Sequence, residues 1–252
     1  MNYSLSDTLN EATAKRKGHL KKLNLALLAY TAVILLLAIP SIIIKVVGGE
    51  AGASTVGTLF IDIVISPILL HPIGIGLLYL GVVRARDEEV RVKSIFGHYS
   101  KVWSLYAAFI ICIISYAAFA VLVAFVVAFI EIPLQSPAPA LIGFIVVLAI
   151  ILAVYAGYLI NFTWLLIVDK GLSAVSAYKY SIQTMRQWRN FWLLFKLHLM
   201  YAIWLFLGAF TLGIAYFWTI PRFMIAYGIV YRSLFDAESN SPTGDDVVTA
   251  EV

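Results

Sequence analysis

Six stretches of the chain are almost continuously apolar, and most of its polar residues are gathered between them. The stretches cover residues 23–45, 56–83, 102–130, 139–168, 191–212 and 214–234. A helix rises about 1.5 Å per residue, so about 20 apolar residues cross the hydrocarbon core of a bilayer. All six are long enough. The pattern predicts an all-α integral membrane protein, a bundle of six transmembrane helices in three hairpins. A basic segment (1–22) precedes the membrane domain (23–235), and an acidic tail (236–252) follows it. Stretches two to four are longer than a span needs and are expected to tilt, bend or project. Pro67, Pro72, Gly74 and Gly76 break the second, and Pro221 breaks the sixth.

The first stretch follows KRKGHLKK and precedes Ala51-Gly52-Ala53, as a signal peptide and its cleavage site would. An apolar core of about 22 residues exceeds the 7–15 of a signal, so a retained first span is expected.

The positive charges then set the sidedness. Of 18 Lys and Arg, fifteen fall on segments that alternating spans place on one side: the N-terminal segment, residues 84–101 and 169–190, and the exit of the sixth span. Only Lys45 falls on the other side, and Lys196 and Arg222 lie inside apolar stretches. Basic loops stay in the cytoplasm. Both termini are therefore expected to be cytoplasmic, in a bacterial cytoplasmic (inner) membrane.

Composition narrows the class further. Hydrophobic residues make up 62% of the chain and charged residues 13%. Soluble domains carry about 25% charged residues, which excludes an ordinary soluble globule. A single cysteine, Cys112, rules out an intramolecular disulfide and reads as a small buried hydrophobe.

A weak threefold pattern runs along the chain. Each hairpin follows a basic, aromatic or amphipathic leader: KRKGHLKKL (15–23), FGHYSKVW (96–103) and YSIQTMRQWRNFW (180–192). The second and sixth stretches end alike, as LYLGVVR (78–84) and AYGIVYR (226–232). In the third leader, Leu172, Val175, Tyr178, Ile182, Met185, Trp188 and Trp192 recur at helical spacing. Ser173, Ser176, Lys179, Gln183, Arg186 and Arg189 lie largely opposite. Two placements fit: an interfacial helix with Lys179, Arg186, Trp188, Arg189 and Trp192 on anionic headgroups, or a connector packed on the bundle. At the N-terminus a surface helix capped by Ser4 or Ser6 is expected, and the tail from Asp236 onward is expected to be disordered.

Polar groups inside the bilayer are costly, so each is a functional candidate. They are Asp62, His71, Asn161, Lys196, His198 and Arg222. Counted along straight spans, Asp62 lies about 9 Å and Arg222 about 10–12 Å below the outer edge. They form a candidate pair. The competing reading has both snorkel outward, with Tyr216 and Trp218 marking the outer interface. His71, beside Pro72, falls near mid-membrane, where it would hydrogen bond or relay a proton. Lys196 and His198 fall on the cytoplasmic side of the fifth span, with Asn161 at similar depth and available to either. The Asp87-Glu88-Glu89 run, flanked by Arg84, Arg86 and Arg91, reads as a solvated loop of mixed charge.

No HExxH, GxSxG or P-loop occurs, and no carboxylates pair at catalytic spacing. Nothing points to an enzyme, a cofactor, a metal or nucleic acid. Three segments, FGHYSKVWSLYAAFI (96–110), AYKYSIQTMRQWRNFWLLFKLHL (177–199) and LGAFTLGIAYFWTIPRFMIAYGIVYRSLF (207–235), carry a resemblance over about residues 60–235. Its elements are Ser181 and Met185 before Phe191-Trp192, a Thr211-Leu212-Gly213 turn, Trp218 and Pro221, and a Tyr231-Arg232 exit. The chain resembles bacterial integral membrane proteins of unknown function allied to the membrane domain of glycerophosphoryl diester phosphodiesterases and to YciC-like inner-membrane proteins. The resemblance implies an inner-membrane helical bundle, and the soluble catalytic domain of the phosphodiesterases is absent here. The expected function is a non-enzymatic module that contacts anionic membrane lipids or a membrane-protein partner. The alternative is a transporter or channel subunit using Asp62, His71 and Arg222.

Overall fold

The computed structural model describes residues 4–53, 66–134, 139–211 and 213–236. Its described secondary structure is entirely helical: α1 (Leu5–Arg16), α2 (Leu20–Ala53), α3 (Ser66–Ala85), a 3₁₀ helix (Val92–Lys101), α4 (Val102–Leu134), α5 (Pro139–Leu159), α6 (Thr163–Lys170), α7 (Ala174–Met185), α8 (Trp188–Ala209) and α9 (Tyr216–Phe235). Five stretches are long and apolar enough to cross a membrane: Leu20–Pro40, Ile68–Ala85, Val92–Val126, Gly143–Lys170 and Trp188–Ala209. Helix α9 has 20 residues and carries two arginines, and the run Met224–Tyr231 is buried throughout. The apolar surfaces left exposed lie on α2 (Leu25 to Val46), α4 (Ile110 to Val126), α5 (Phe144 to Val154) and α8 (Leu199 to Leu207), continuing through Phe210 to Trp218. These faces form the band a hydrocarbon solvent would cover.

The core is built around the crossing of α3 and α9. A Cβ at Gly81 would stand 1.9 Å from the carbonyl oxygen of Met224, and one at Gly228 would stand 2.3 Å from that of Gly81. The two backbones therefore touch, which only glycine permits. Further on, Arg232 donates to the carbonyl of Ala85. Residue numbers rise together on both helices, so α3 and α9 run parallel. The segments that end alike, 78–84 and 226–232, pack against each other, with Val82 and Val230 fully buried.

Other elements follow from local chemistry. Ser4 caps α1: its hydroxyl accepts from the amide of Asp7, whose carboxylate accepts from the amide of Ser4. The expected surface segment is in fact half sunk, with Thr8 and Ala12 fully buried. The second leader forms the 3₁₀ helix and folds back along α3: Gly76 leaves room for the backbone of Ile95, and the Tyr99 hydroxyl donates 2.7 Å to the carbonyl of Leu69. The turn after α8 is held by the Thr211 hydroxyl, which donates to Gly208 and accepts from Ala215. Gly213 there has φ +82°, a conformation that favours glycine.

The fourth apolar stretch is not one helix. It breaks at residues 160–162 between α5 and α6. The break exposes backbone carbonyls in apolar surroundings, where side-chain donors must satisfy them. Ser181 donates 2.8 Å to Leu159, and the Tyr227 hydroxyl donates 3.2 Å to Asn161.

Helix α7 forms where the third leader predicts a helix, with Ser173 as its cap. Its buried face is Ala174, Ala177, Ser181, Thr184 and Met185. Val175, expected on the apolar face, is half exposed. Small and hydroxyl residues let α7 lie close on α4, α5 and α6, so backbone proximity selected the face that hydropathy alone assigns elsewhere.

The backbone contact yields a direct test. Gly81→Ala and Gly228→Ala force apart two backbones that cannot yield as a side chain would, at a cost of about 1–3 kcal/mol or more. Both variants are expected to melt several degrees below wild type in detergent. Gly143→Ala, which meets nothing within 4 Å, is expected to melt at or above it. Equal melting temperatures for all three would contradict the crossing.

Candidate functional site

One end of the bundle gathers the charged residues. Residues from the N-terminal segment, the 84–91 loop, the end of α6 and the exit of α9 meet there. At the centre, Arg86 makes a bidentate pair with Asp169 (2.6 and 2.7 Å) and a second with Asp236 (2.8 Å for both bonds). Tyr231 donates 2.8 Å to Asp169, and Lys170 reaches Asp236 at 3.1 Å. Around this core, Arg232 pairs with Glu11, Lys15 with Asp87, and Lys22 with Glu89, while Arg84 donates to the carbonyl of Lys15.

This end corrects two expectations. Arg84 and Arg86 are not part of a solvated loop, because Arg86 sits between carboxylates from α6 and α9. Asp236, expected as the first residue of the loose tail, is docked on Arg86 and Lys170. The remaining tail, 237–252, lies outside the described residues. Hydrogen bonds to Asp169 and Asp236 push the pKa of Arg86 above its ordinary value. Burial would raise that of Asp236, but hydrogen bonds from Arg86 and Lys170 outweigh it and hold the carboxyl below its usual range. Such a cluster joins helices that are distant in sequence and fixes their register.

The intramembrane candidates fall apart into separate settings. Asp62 lies outside the described residues. His71 stands between Phe109 (6.0 Å between ring centroids) and Trp164 (5.4 Å, edge on). Its Nε2 and the indole Nε1 of Trp164 are buried without a hydrogen-bond partner among the described residues. His71, Pro72 and Phe109 line a cavity of about 10 Å³, close to the space one water needs. Asn161 bonds to neither Lys196 nor His198: its side-chain oxygen accepts from the Tyr227 hydroxyl. His198 Nδ1 is 3.0 Å from the carbonyl of Leu194, and its ring meets Tyr158, Phe223 and Tyr227 edge on. Lys196 is exposed on α8.

Arg222 lies one turn after Trp218 on α9, and Trp218 meets the N-terminal helix. Arg16 donates 3.2 Å to the carbonyl of Trp218 and lies over its indole, 5.7 Å from the ring centroid. Lys15, the neighbour of Arg16, is bound to Arg84 and Asp87 at the charged end.

At the edge of the charged end lies an aromatic and basic rim. Trp103 is 75% exposed and Trp188 65% exposed, each within two residues of the start of a long apolar helix. Lys179, Arg186 and Arg189 are exposed nearby, and Trp192 packs against Trp188, with ring centroids 5.3 Å apart. Among the described residues no three of His, Cys, Asp and Glu converge on a metal-sized site.

No family model, curated protein or solved structure matches the chain. The resemblance read from residues 60–235 thus rests on those residues alone. Sequence reasoning missed Asp169 and Asp236 as partners of Arg86, and Tyr231 as a donor to Asp169. The one available signal was that Asp169 is the sole acid at the exit of the fourth stretch.

Removing one partner of a buried ion pair costs about 3–5 kcal/mol. Arg86→Met and Asp169→Asn are each expected to lower the melting temperature, with Asp169→Asn also freeing the Tyr231 hydroxyl. The pH dependence has a fixed sign. A carboxyl whose folded pKa is depressed contributes stability that is fully present above its unfolded value of about 3.9 and is lost as pH falls through the folded value. Wild type is expected to lose stability below about pH 4, with Arg86→Met showing a shallower loss. An identical slope in both proteins would remove Arg86 as the partner.

Proposed function

We propose that the protein is a non-enzymatic module of the bacterial cytoplasmic membrane that engages anionic lipid at its charged end. In this reading six helices cross the bilayer, α9 being the sixth, and both termini are cytoplasmic. The observation that carries it is the rim: Trp103 and Trp188 are exposed where apolar helices begin, with Lys179, Arg186 and Arg189 beside them. Indole rings favour the headgroup level, and a basic side chain near an anionic surface contributes about 1 kcal/mol. The internal charges of that end are mutually paired and give it a rigid support, whereas the rim faces outward. A membrane-protein partner is the second occupant this surface would suit, and the resemblance to inner-membrane proteins supports the same class.

Replacing Lys179, Arg186 and Arg189 together by Gln tests the proposal. Purified protein in nanodiscs is expected to enrich phosphatidylglycerol over phosphatidylcholine around it, and the triple variant is expected to lose most of that enrichment. No difference between them would refute the lipid reading of the rim. Solute flux in proteoliposomes that depends on His71 or Arg222 would instead establish the transporter alternative.

A further inference from the structure

Every arginine at the core of the charged end has a carboxylate, but two arginines beside it do not. Arg16 on α1 and Arg222 on α9 have no ion pair with any acid among the described residues. Arg16 bonds the carbonyl of Trp218, one turn before Arg222 on α9, and the ring of Tyr201 on α8 meets Phe223, the neighbour of Arg222, at 4.9 Å. The Nε of Arg222 is buried and unpartnered among the described residues, and so is the hydroxyl of Tyr201, a residue only 3% exposed. Arg16 spends one N–H on the Trp218 carbonyl and lies over the indole, which leaves further donors of its fork unused. Two cations and an idle hydroxyl gathered at the border of an apolar band are unfavourable by themselves. A bound anion relieves all three.

We propose that Arg16, Arg222 and Tyr201 form a binding site for the phosphate of an anionic phospholipid. The chemistry selects phosphate because two guanidinium forks and one hydroxyl supply donors around a tetrahedral oxyanion. The surroundings select a lipid as its carrier. Trp218 (56% exposed), Leu205 and Phe206 continue the apolar band alongside the site, where acyl chains run. The site deepens the lipid reading of the rim and is separate from it in residues: the rim would gather many exchanging lipids, whereas this site would hold one.

The test uses the full chain purified in an uncharged detergent, with short-chain phosphatidylglycerol, phosphatidylcholine and inorganic phosphate as probes. Phosphatidylglycerol is expected to raise the melting temperature and to remain as one lipid per chain in native mass spectrometry. Arg222→Gln and Arg16→Gln are each expected to weaken that binding about tenfold, the effect of losing one charge-assisted hydrogen bond. Arg222→Lys should retain part of it. The triple rim variant should keep the single tight lipid, so failure of the rim and failure of this site are read separately. Arg222→Gln should also be as stable as wild type, or more so, when no lipid is added, because it removes an uncompensated charge. Unchanged binding in both Gln variants overturns the site. So does a double-mutant cycle in which Arg222→Gln and Asp62→Asn each destabilise the lipid-free protein and are coupled, because Asp62 would then be the anion. Equal stabilisation by inorganic phosphate overturns the lipid as the carrier.

Discussion

The close approach of α3 and α9 at Gly81 and Gly228 is the constraint on which the rest of the structure depends. Lipid tails are as apolar as leucine, so burying apolar side chains does not drive two helices together inside a bilayer. Backbone contact does, through dispersion over a long seam. The contact makes α3 and α9 parallel and aligns their ends. Both ends carry arginine, at 84, 86 and 232, so the crossing brings like charges together. The ion cluster is the consequence. Asp169 and Asp236 close on Arg86, Glu11 closes on Arg232, and α1 is drawn onto the bundle to supply that last carboxylate.

The same crossing explains the broken fourth stretch. With α9 at the centre, α5 and α6 must bend to lay Phe162 against Tyr227, Tyr231 and Phe235, whose rings lie 4.9–5.8 Å away. The break would strand carbonyls in an apolar interior. Tyr227 and Ser181 answer it with hydroxyls from α9 and α7. The polar groups Asn161, Ser181 and Tyr227 are thus parts of one structural solution, which is why Asn161 takes Tyr227 rather than Lys196 or His198.

Much of the helical content was legible because apolar runs and caps are local. The Ser4 cap, the turn at Gly213 and the apolar stretches of α2, α4 and α8 can be read within a few residues of themselves. What was not legible is set by pairing. Asp169 is 83 positions from Arg86, and no local pattern announces that they meet. Asp236 carries the composition of the tail, yet its place is decided by Arg86. The face of α7 that packs on its neighbours, Ala174, Ala177, Ser181, Thr184 and Met185, was not legible because close packing of helices selects by size as well as by hydropathy.

The charges of this protein therefore divide by what answers them. Arg86 is met by two carboxylates and a network that holds four segments together, and a cation so compensated is a structural fixture. Arg16 and Arg222 stand in comparable surroundings, yet none of the described acids turns toward either. A fold that supplies Asp169, Asp236, Glu11 and Asp87 to nearby cations does not lack carboxylates at this end. That two guanidinium groups and the Tyr201 hydroxyl remain without one among the described residues is the physical basis for proposing that their counter-charge comes from a molecule outside the chain.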